Sequence, residues 1–131
     1  MKVLLDTHVF IWLDSAPEKL SPKAFAVCQD QDNELYLSMA SVWEMQIKQQ
    51  LGKLNLKLPL KQLIEEQCAN NGLQILSIEA DHIYALNELP LHHKDPFDRL
   101  LIAQAILEKM IIITSDTQFI NYGVPLLFAT K

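Results

Sequence analysis

Four segments of the chain put an acid where it could do chemistry: Val3-Leu4-Leu5-Asp6-Thr7-His8, Ser41-Val42-Trp43-Glu44, Asp95-Pro96-Phe97-Asp98-Arg99 and Thr114-Ser115-Asp116. Carboxylates brought together repel and shift one another's pKa unless cations compensate. Hard divalent ions bound through oxygen, Mg²⁺ or Mn²⁺, are the natural compensation. Such ions lower the pKa of a bound water and clamp the oxygens of a phosphodiester, so the protein needs no nucleophile of its own. No Cys or His cluster competes for a softer metal. Cys28 and Cys68 lack metal-type spacing, and the adjacent His92-His93 reads as a solvated loop pair.

Each acid also has a plainer reading. Asp6 could cap the helix that follows it. Glu44 could close a Ser41-x-x-Glu44 capping box. If Ser38 is the cap instead, Glu44 lies a full turn inside the helix, on one face with Ile47 and Leu51. A carboxylate heading such a stripe is costly without a partner. Asp95 is most simply an N-cap with Pro96 at the first helical position. Asp98 would then sit near a helix N-terminus, favoured by the macrodipole, but it also leads the face carrying Ile102 and Ala105. Asp116 could be a turn former.

What must position these acids is an alternation of short strands and helices. Lys2 to Leu5, Leu35 to Leu37, Gln74 to Ile78, Met110 to Thr114 and Val124 to Phe128 read as strands. Helices are expected from Val9 to Leu13, from Ser21-Pro22 to Gln29, from Met39 to Leu51, and from Pro59 to Asn70-Asn71-Gly72. Two more are expected from Glu79 to Glu88 and from Asp95-Pro96 to Lys109. This order argues an α/β fold, a three-layer sandwich with a central, mostly parallel sheet of about five strands flanked by helices. Ligand sites in such folds lie beyond the carboxyl ends of the strands. Asp6 and Asp116 each follow a strand, so both belong to that rim, and helices starting near it would bring Glu44 and Asp98 toward it.

Composition sets the bounds. At 131 residues, half of them apolar, residues 1–131 read as a single domain able to bury a core. Two cysteines are too few for a disulfide framework, so a reducing compartment is expected. A net charge of −5 excludes gripping nucleic acid by bulk charge, though not a local basic rim. Lys48, Lys53 and Lys57 follow the Glu44 segment, while Lys94 and Arg99 flank Asp98. Lys53 and Lys57 could equally be solvated surface charges, and Arg99 could be a structural ion pair with Asp98. Trp12, Trp43, Phe10 and Phe97 are expected in the core, with Tyr36 and Tyr122 undecided. The opening Met1-Lys2-Val3-Leu4-Leu5 begins like a signal peptide, but Asp6, His8 and Asp14 interrupt it and no small-residue cleavage site follows. No apolar run approaches a membrane span. The expectation is a cytoplasmic protein with no membrane association.

The stretches LLDTHVFIW at 4–12, LSMASVWEMQIKQQLGKL at 37–54, HHKDPFDRLLIAQA at 92–105 and IITSDTQF at 112–119 resemble a PIN domain. Within that group they resemble the VapC-type toxin ribonucleases of bacterial toxin–antitoxin systems. The resemblance runs nearly the whole chain, in family order. It implies a parallel sheet of about five strands and a Mg²⁺- or Mn²⁺-dependent endoribonuclease that leaves a 5′-phosphate and a 3′-hydroxyl. Asp6, Glu44, Asp98 and Asp116 match the family's four acids in turn. By that match Asp6, Asp98 and Asp116 would hold the metal, and Glu44 would hold a second ion or orient the attacking water. Asp95 matches an extra acid of one subgroup and is a further candidate ligand. Thr7, Thr114 and Ser115 match auxiliary polar positions. Lys48, Lys53, Lys94 and Arg99 are candidate RNA contacts. The resemblance also implies a homodimer, a small antitoxin whose tail covers the acidic groove, and an RNA substrate with tRNA as a candidate. Two alternatives stand beside it. One is a PIN-like module that only binds. The other is a haloacid-dehalogenase-type phosphohydrolase, which needs a second Asp two residues after the first, where this chain has His8.

Overall fold

The computed structural model describes residues 1–130. Five strands form one sheet: β1 (Lys2–Leu5), β2 (Glu34–Ser38), β3 (Gln74–Leu76), β4 (Ile111–Thr114) and β5 (Leu126–Phe128). Their order across the sheet is β3-β2-β1-β4-β5, and every neighbouring pair is parallel. Six α-helices connect them: α1 (Thr7–Ser15), α2 (Pro22–Gln29), α3 (Met39–Gln50), α4 (Leu60–Asn71), α5 (Ala80–Ala85) and α6 (Pro96–Glu108).

Alternation along the central strand sorts the layers. Val3 and Leu5 face a core built with Val9, Phe10, Ala24, Met45 and Leu63, from α1, α2, α3 and α4. Leu4 faces the opposite core, built with Leu101, Ile102 and Ala105 of α6 and with Phe119. The sheet is covered on both sides, which is why its strands read as unbroken apolar runs rather than as alternating ones. The expected three-layer parallel sandwich is the observed one.

Element ends follow local chemistry. The Ser21 side chain accepts the Ala24 N–H at 3.1 Å and starts α2, with Pro22 at its first position. Gly72, at φ 67°, ends α4 in the left-handed region. Several boundaries differ from expectation; α1, for one, runs from Thr7 to Ser15 rather than from Val9 to Leu13. The third strand ends at Leu76 rather than Ile78, and the fifth begins at Leu126 rather than Val124. Both are edge strands paired on one side only, so their length is set by the single neighbour they pair with. The helix expected over Glu79–Glu88 tightens after Ala85 into a 3₁₀ turn, Leu86–Glu88.

The connectivity fixes where a site can form. From β1 the chain winds through β2 to β3 on one side, then crosses over to β4 and β5 on the other. The order therefore reverses between β1 and β4, and a crevice opens beyond their carboxyl ends.

Candidate active site at the β1/β4 switch point

Asp6 is the first residue after β1. Its N–H still pairs with the Ile113 carbonyl at 3.0 Å, which carries the β1–β4 ladder one residue further. It occupies the N-cap position of α1, but its side chain makes no capping bond. Instead its Oδ2 accepts the Thr114 hydroxyl at 2.7 Å. Burial pushes the Asp6 carboxyl above its usual range, against the opposing pull of the Thr114 hydrogen bond and nearby His8.

Ser38, the last residue of β2, caps α3 by accepting the Ala40 N–H at 3.0 Å. Glu44 therefore lies inside the helix and not in a capping box. Its buried neighbours on α3 are Ala40, Ser41 and Met45, whereas Leu51 of the expected stripe is exposed. Both carboxylate oxygens of Glu44 are engaged: Oε1 accepts the Thr7 hydroxyl at 2.7 Å, and Oε2 pairs with Lys48 Nζ at 2.9 Å. Thr7 Oγ1 also lies 2.8 Å from Ser41 Oγ.

Asp95 is the N-cap of α6, with Oδ1 accepting from Phe97 N at 2.8 Å and Asp98 N at 3.3 Å. One turn on, Asp98 heads the face carrying the buried Ile102 and Ala105. Burial first, then the charges of Asp6, Asp95, Glu44 and Asp116, push its carboxyl up to about 8. Asp116 does two things at once. Its Oδ1 caps the 3₁₀ turn Thr117–Tyr122 through Gln118 N at 2.9 Å, and its Oδ2 accepts from His93 Nε2 at 2.8 Å.

These side chains line one cavity of about 390 Å³, with Ser115, His8, Trp12 and His93 completing the wall. Five carboxylates line it, from Asp6, Glu44, Asp95, Asp98 and Asp116, against the single ammonium of Lys48. One oxygen each of Asp98 and Asp116 and Nε2 of His93 lie within 4.8 Å of one another. An oxygen-rich set with excess negative charge, in which burial has already made two carboxyls, Asp6 and Asp98, harder to ionise, suits a hard divalent cation.

His93 corrects one expectation. Only His92 of the pair is exposed; His93 is buried, because its main-chain N–H donates to Tyr122 Oη at 2.8 Å and the loop folds over the end of β4. Nothing in His92-His93 as a sequence tells which ring turns inward. Arg99 forms no ion pair with Asp98. Its Nη2 donates to the carbonyls of Leu86 and Leu89 at 3.2 and 3.1 Å, tying the 3₁₀ turn to α6, and it does not line the cavity. Lys53 and Lys94 are exposed outside the cavity wall, whereas Lys48 is inside it. Trp43 is not core. At 60% exposure it lies on the outer side of α3, edge-on to Phe97 at 5.3 Å, because the adjoining Glu44 and Met45 take the inner face. Phe10 is buried as expected.

The family model for the PIN domain matches residues 3–125. The chain belongs to the PIN domain family. Among solved structures, this PIN domain resembles VapBC2 from Rickettsia felis, bound to a DNA fragment from its promoter, with TM-score 0.74 and 17% identity over 98% of this chain and 99% of that one. It also resembles VapBC-1 from nontypeable Haemophilus influenzae, with TM-score 0.66 and 19% identity over 98% of each chain. A third is FitAcB from Neisseria gonorrhoeae, with TM-score 0.61 and 20% identity over 95% of this chain and 96% of that one. At these identities the likeness is one of fold. No curated protein matches the chain significantly.

Proposed function

We propose that this PIN domain is a divalent-metal-dependent endoribonuclease acting as the toxin of a toxin–antitoxin pair. The observation that carries the reading is the convergence of Asp6, Glu44, Asp98 and Asp116 on one cavity at the β1/β4 switch point. In this proposal Asp6, Asp98 and Asp116 hold Mg²⁺ or Mn²⁺, with Asp95 beside them as the helix cap. When bound, the ion would supply charge neutralisation and the lowered pKa of an attacking water. Glu44 has both oxygens held by Thr7 and Lys48, so its part is to receive a proton or orient the water rather than to hold a second ion. Thr114 fixes one Asp6 oxygen where the residue lines the cavity. Ser115 offers a hydroxyl at the cavity wall.

RNA must approach an acidic cleft, so cations at its edge have to offset the backbone phosphates. Lys48 in the wall and the exposed Lys53 and Lys94 suit that role; Arg99, tied to two carbonyls, does not. That several similar folds were solved as VapBC or FitAB assemblies supports a small antitoxin partner. A homodimer and a cytoplasmic location belong to the same reading. No helix among the described residues is long and apolar enough to cross a membrane.

The test is direct. Purified chain should cleave RNA, tRNA included, in Mg²⁺ or Mn²⁺, stop in chelator, and leave 5′-phosphate ends. Metal-independent cleavage, or none with the antitoxin removed, would overturn the reading.

A further inference from the structure

We propose that His93 is a positioning residue: it donates its Nε2–H to the Asp116 carboxylate, holds the Asp98 carboxyl against the same nitrogen, so sets the spacing of the two acids, and is not itself a ligand. The inference rests on the metal reading above and deepens it.

The ring is held on several sides. Its main-chain N–H donates to Tyr122 Oη at 2.8 Å, its Nδ1 accepts the Asp95 N–H at 3.1 Å, and its plane meets Phe119 edge-on at 5.9 Å. Held this way, Nε2 lies 2.8 Å from Asp116 Oδ2 and 2.9 Å from Asp98 Oδ2. A ring nitrogen that accepts an N–H carries no proton, so the Asp95 contact assigns the proton to Nε2. The ring thus aims an N–H, not a lone pair, at the two acids. To bind an ion through Nε2 it would have to move that proton to Nδ1, where it would face the Asp95 N–H, donor against donor.

The chain uses the same device elsewhere. His82 Nδ1 accepts the Glu79 N–H at 2.9 Å and its Nε2 lies 3.1 Å from Glu108 Oε2. There one carboxylate receives the contact, and the result joins α5 to α6. At His93 the Asp116 carboxylate receives it while Asp98 Oδ2 lies beside the same nitrogen, and both acids belong to the candidate metal set. Partners of metal-binding carboxylates orient them, and their loss typically lowers metal affinity about 10- to 100-fold. The Asp95 N–H links the device to the α6 cap: the residue that starts the Asp98 helix also fixes the ring that holds Asp98.

Two substitutions separate donor from acceptor. His93→Gln keeps an N–H near the place of Nε2; His93→Asn keeps an acceptor near the place of Nδ1 and loses the reach to the acids. Mn²⁺ affinity of the full chain, without RNA, is read from the electron-spin signal of free Mn²⁺. We expect His93→Asn to lose about 10-fold or more and His93→Gln to recover most of it, with helix content equal in all three proteins. Long-range ¹⁵N–¹H spectra of the parent in chelator should show the Nε2–H tautomer. Unchanged affinity in His93→Asn, a glutamine variant no better than asparagine, or an Nδ1–H tautomer overturns the inference. So does spin-echo modulation from a Mn²⁺-bound imidazole that disappears in His93→Gln. A parent that binds no Mn²⁺ overturns the metal reading itself, which unchanged affinity in the variant does not.

Discussion

Beyond the carboxyl ends of β1 and β4 lies the acidic cavity of about 390 Å³; beyond the amino ends of β2 and β3 lies a larger one of about 520 Å³. The larger is lined by Cys28, Asp30, Asn33, Glu34 and residues at the end of α4. Its carboxylates, Asp30 and Glu34, are exposed, so water solvates them at little cost. Its thiol, Cys28, is pushed up to about 11 by burial and stays protonated. At the other rim Asp6 and Glu44 are each only 5% exposed; Thr114 and Thr7 have been brought across the fold to meet them, and Lys48 reaches Glu44 from one turn along α3. Size alone would select the wrong cavity. What marks the smaller one is desolvated charge with convergent partners, a state that costs folding energy and persists where a function uses it.

The contrast can be broken most sharply through Glu44. Glu44→Gln keeps size and helix propensity, and RNA cleavage should fall by at least about a hundredfold, the scale of losing an acid–base group. Asp30→Asn combined with Glu34→Gln, at the opposite rim, should leave the cleavage rate where it was. A fully active Glu44→Gln protein with unchanged circular dichroism would remove the functional distinction between the rims.

A middle-sized effect divides the lysines. Lys53→Ala should weaken RNA binding and lower the salt slope by about one, with single-turnover cleavage at saturating RNA nearly unchanged. Lys48→Ala also breaks the 2.9 Å pair with Glu44, so the cleavage step should slow as well. Equal behaviour of the two variants would mean that the Lys48–Glu44 pair has no part in the chemistry.

The smallest effect is on stability. Asp98 has its carboxyl pushed up to about 8 in the folded protein, against about 3.9 when unfolded. The folded state therefore binds the proton more tightly. The stability linked to it is fully present below the unfolded value and is lost as pH rises through about 8. In chelator, Asp98→Asn should melt above the parent by on the order of 1 kcal/mol, with a lead that widens from mildly acidic to mildly alkaline pH. Mg²⁺ should then stabilise the parent more than the variant, since the ion binds only the folded cluster. A helix-dipole role for Asp98 predicts the opposite sign, destabilisation with or without metal. Melting curves of both proteins across pH, in chelator and in excess Mg²⁺, decide between the two.

Much of this site is legible one segment at a time. Asp95-Pro96 announces a cap and the start of α6, and the cap is there. Ser38 outcompetes Ser41 as the α3 cap because it stands at the strand exit, where the backbone is still extended. Trp43 misleads because an aromatic residue beside an apolar run looks like core, and only the facing of α3 turns it outward. Arg99 misleads because its neighbour in sequence, Asp98, is not its neighbour in space.

The sequence by itself determined which segments are strands and helices, where most of them begin and end, and which acids follow or open them. Those features come from interactions a few residues long: caps, glycine stops, apolar runs. Tertiary structure alone decided that Thr114 would fix Asp6 across 108 residues, that Thr7 would meet Glu44 across 37, and that His93 rather than His92 would reach Asp116 across 23. Contacts at such separations depend on the order in which strands lie side by side and on how loops close over their ends, and no local preference of the residues involved encodes either.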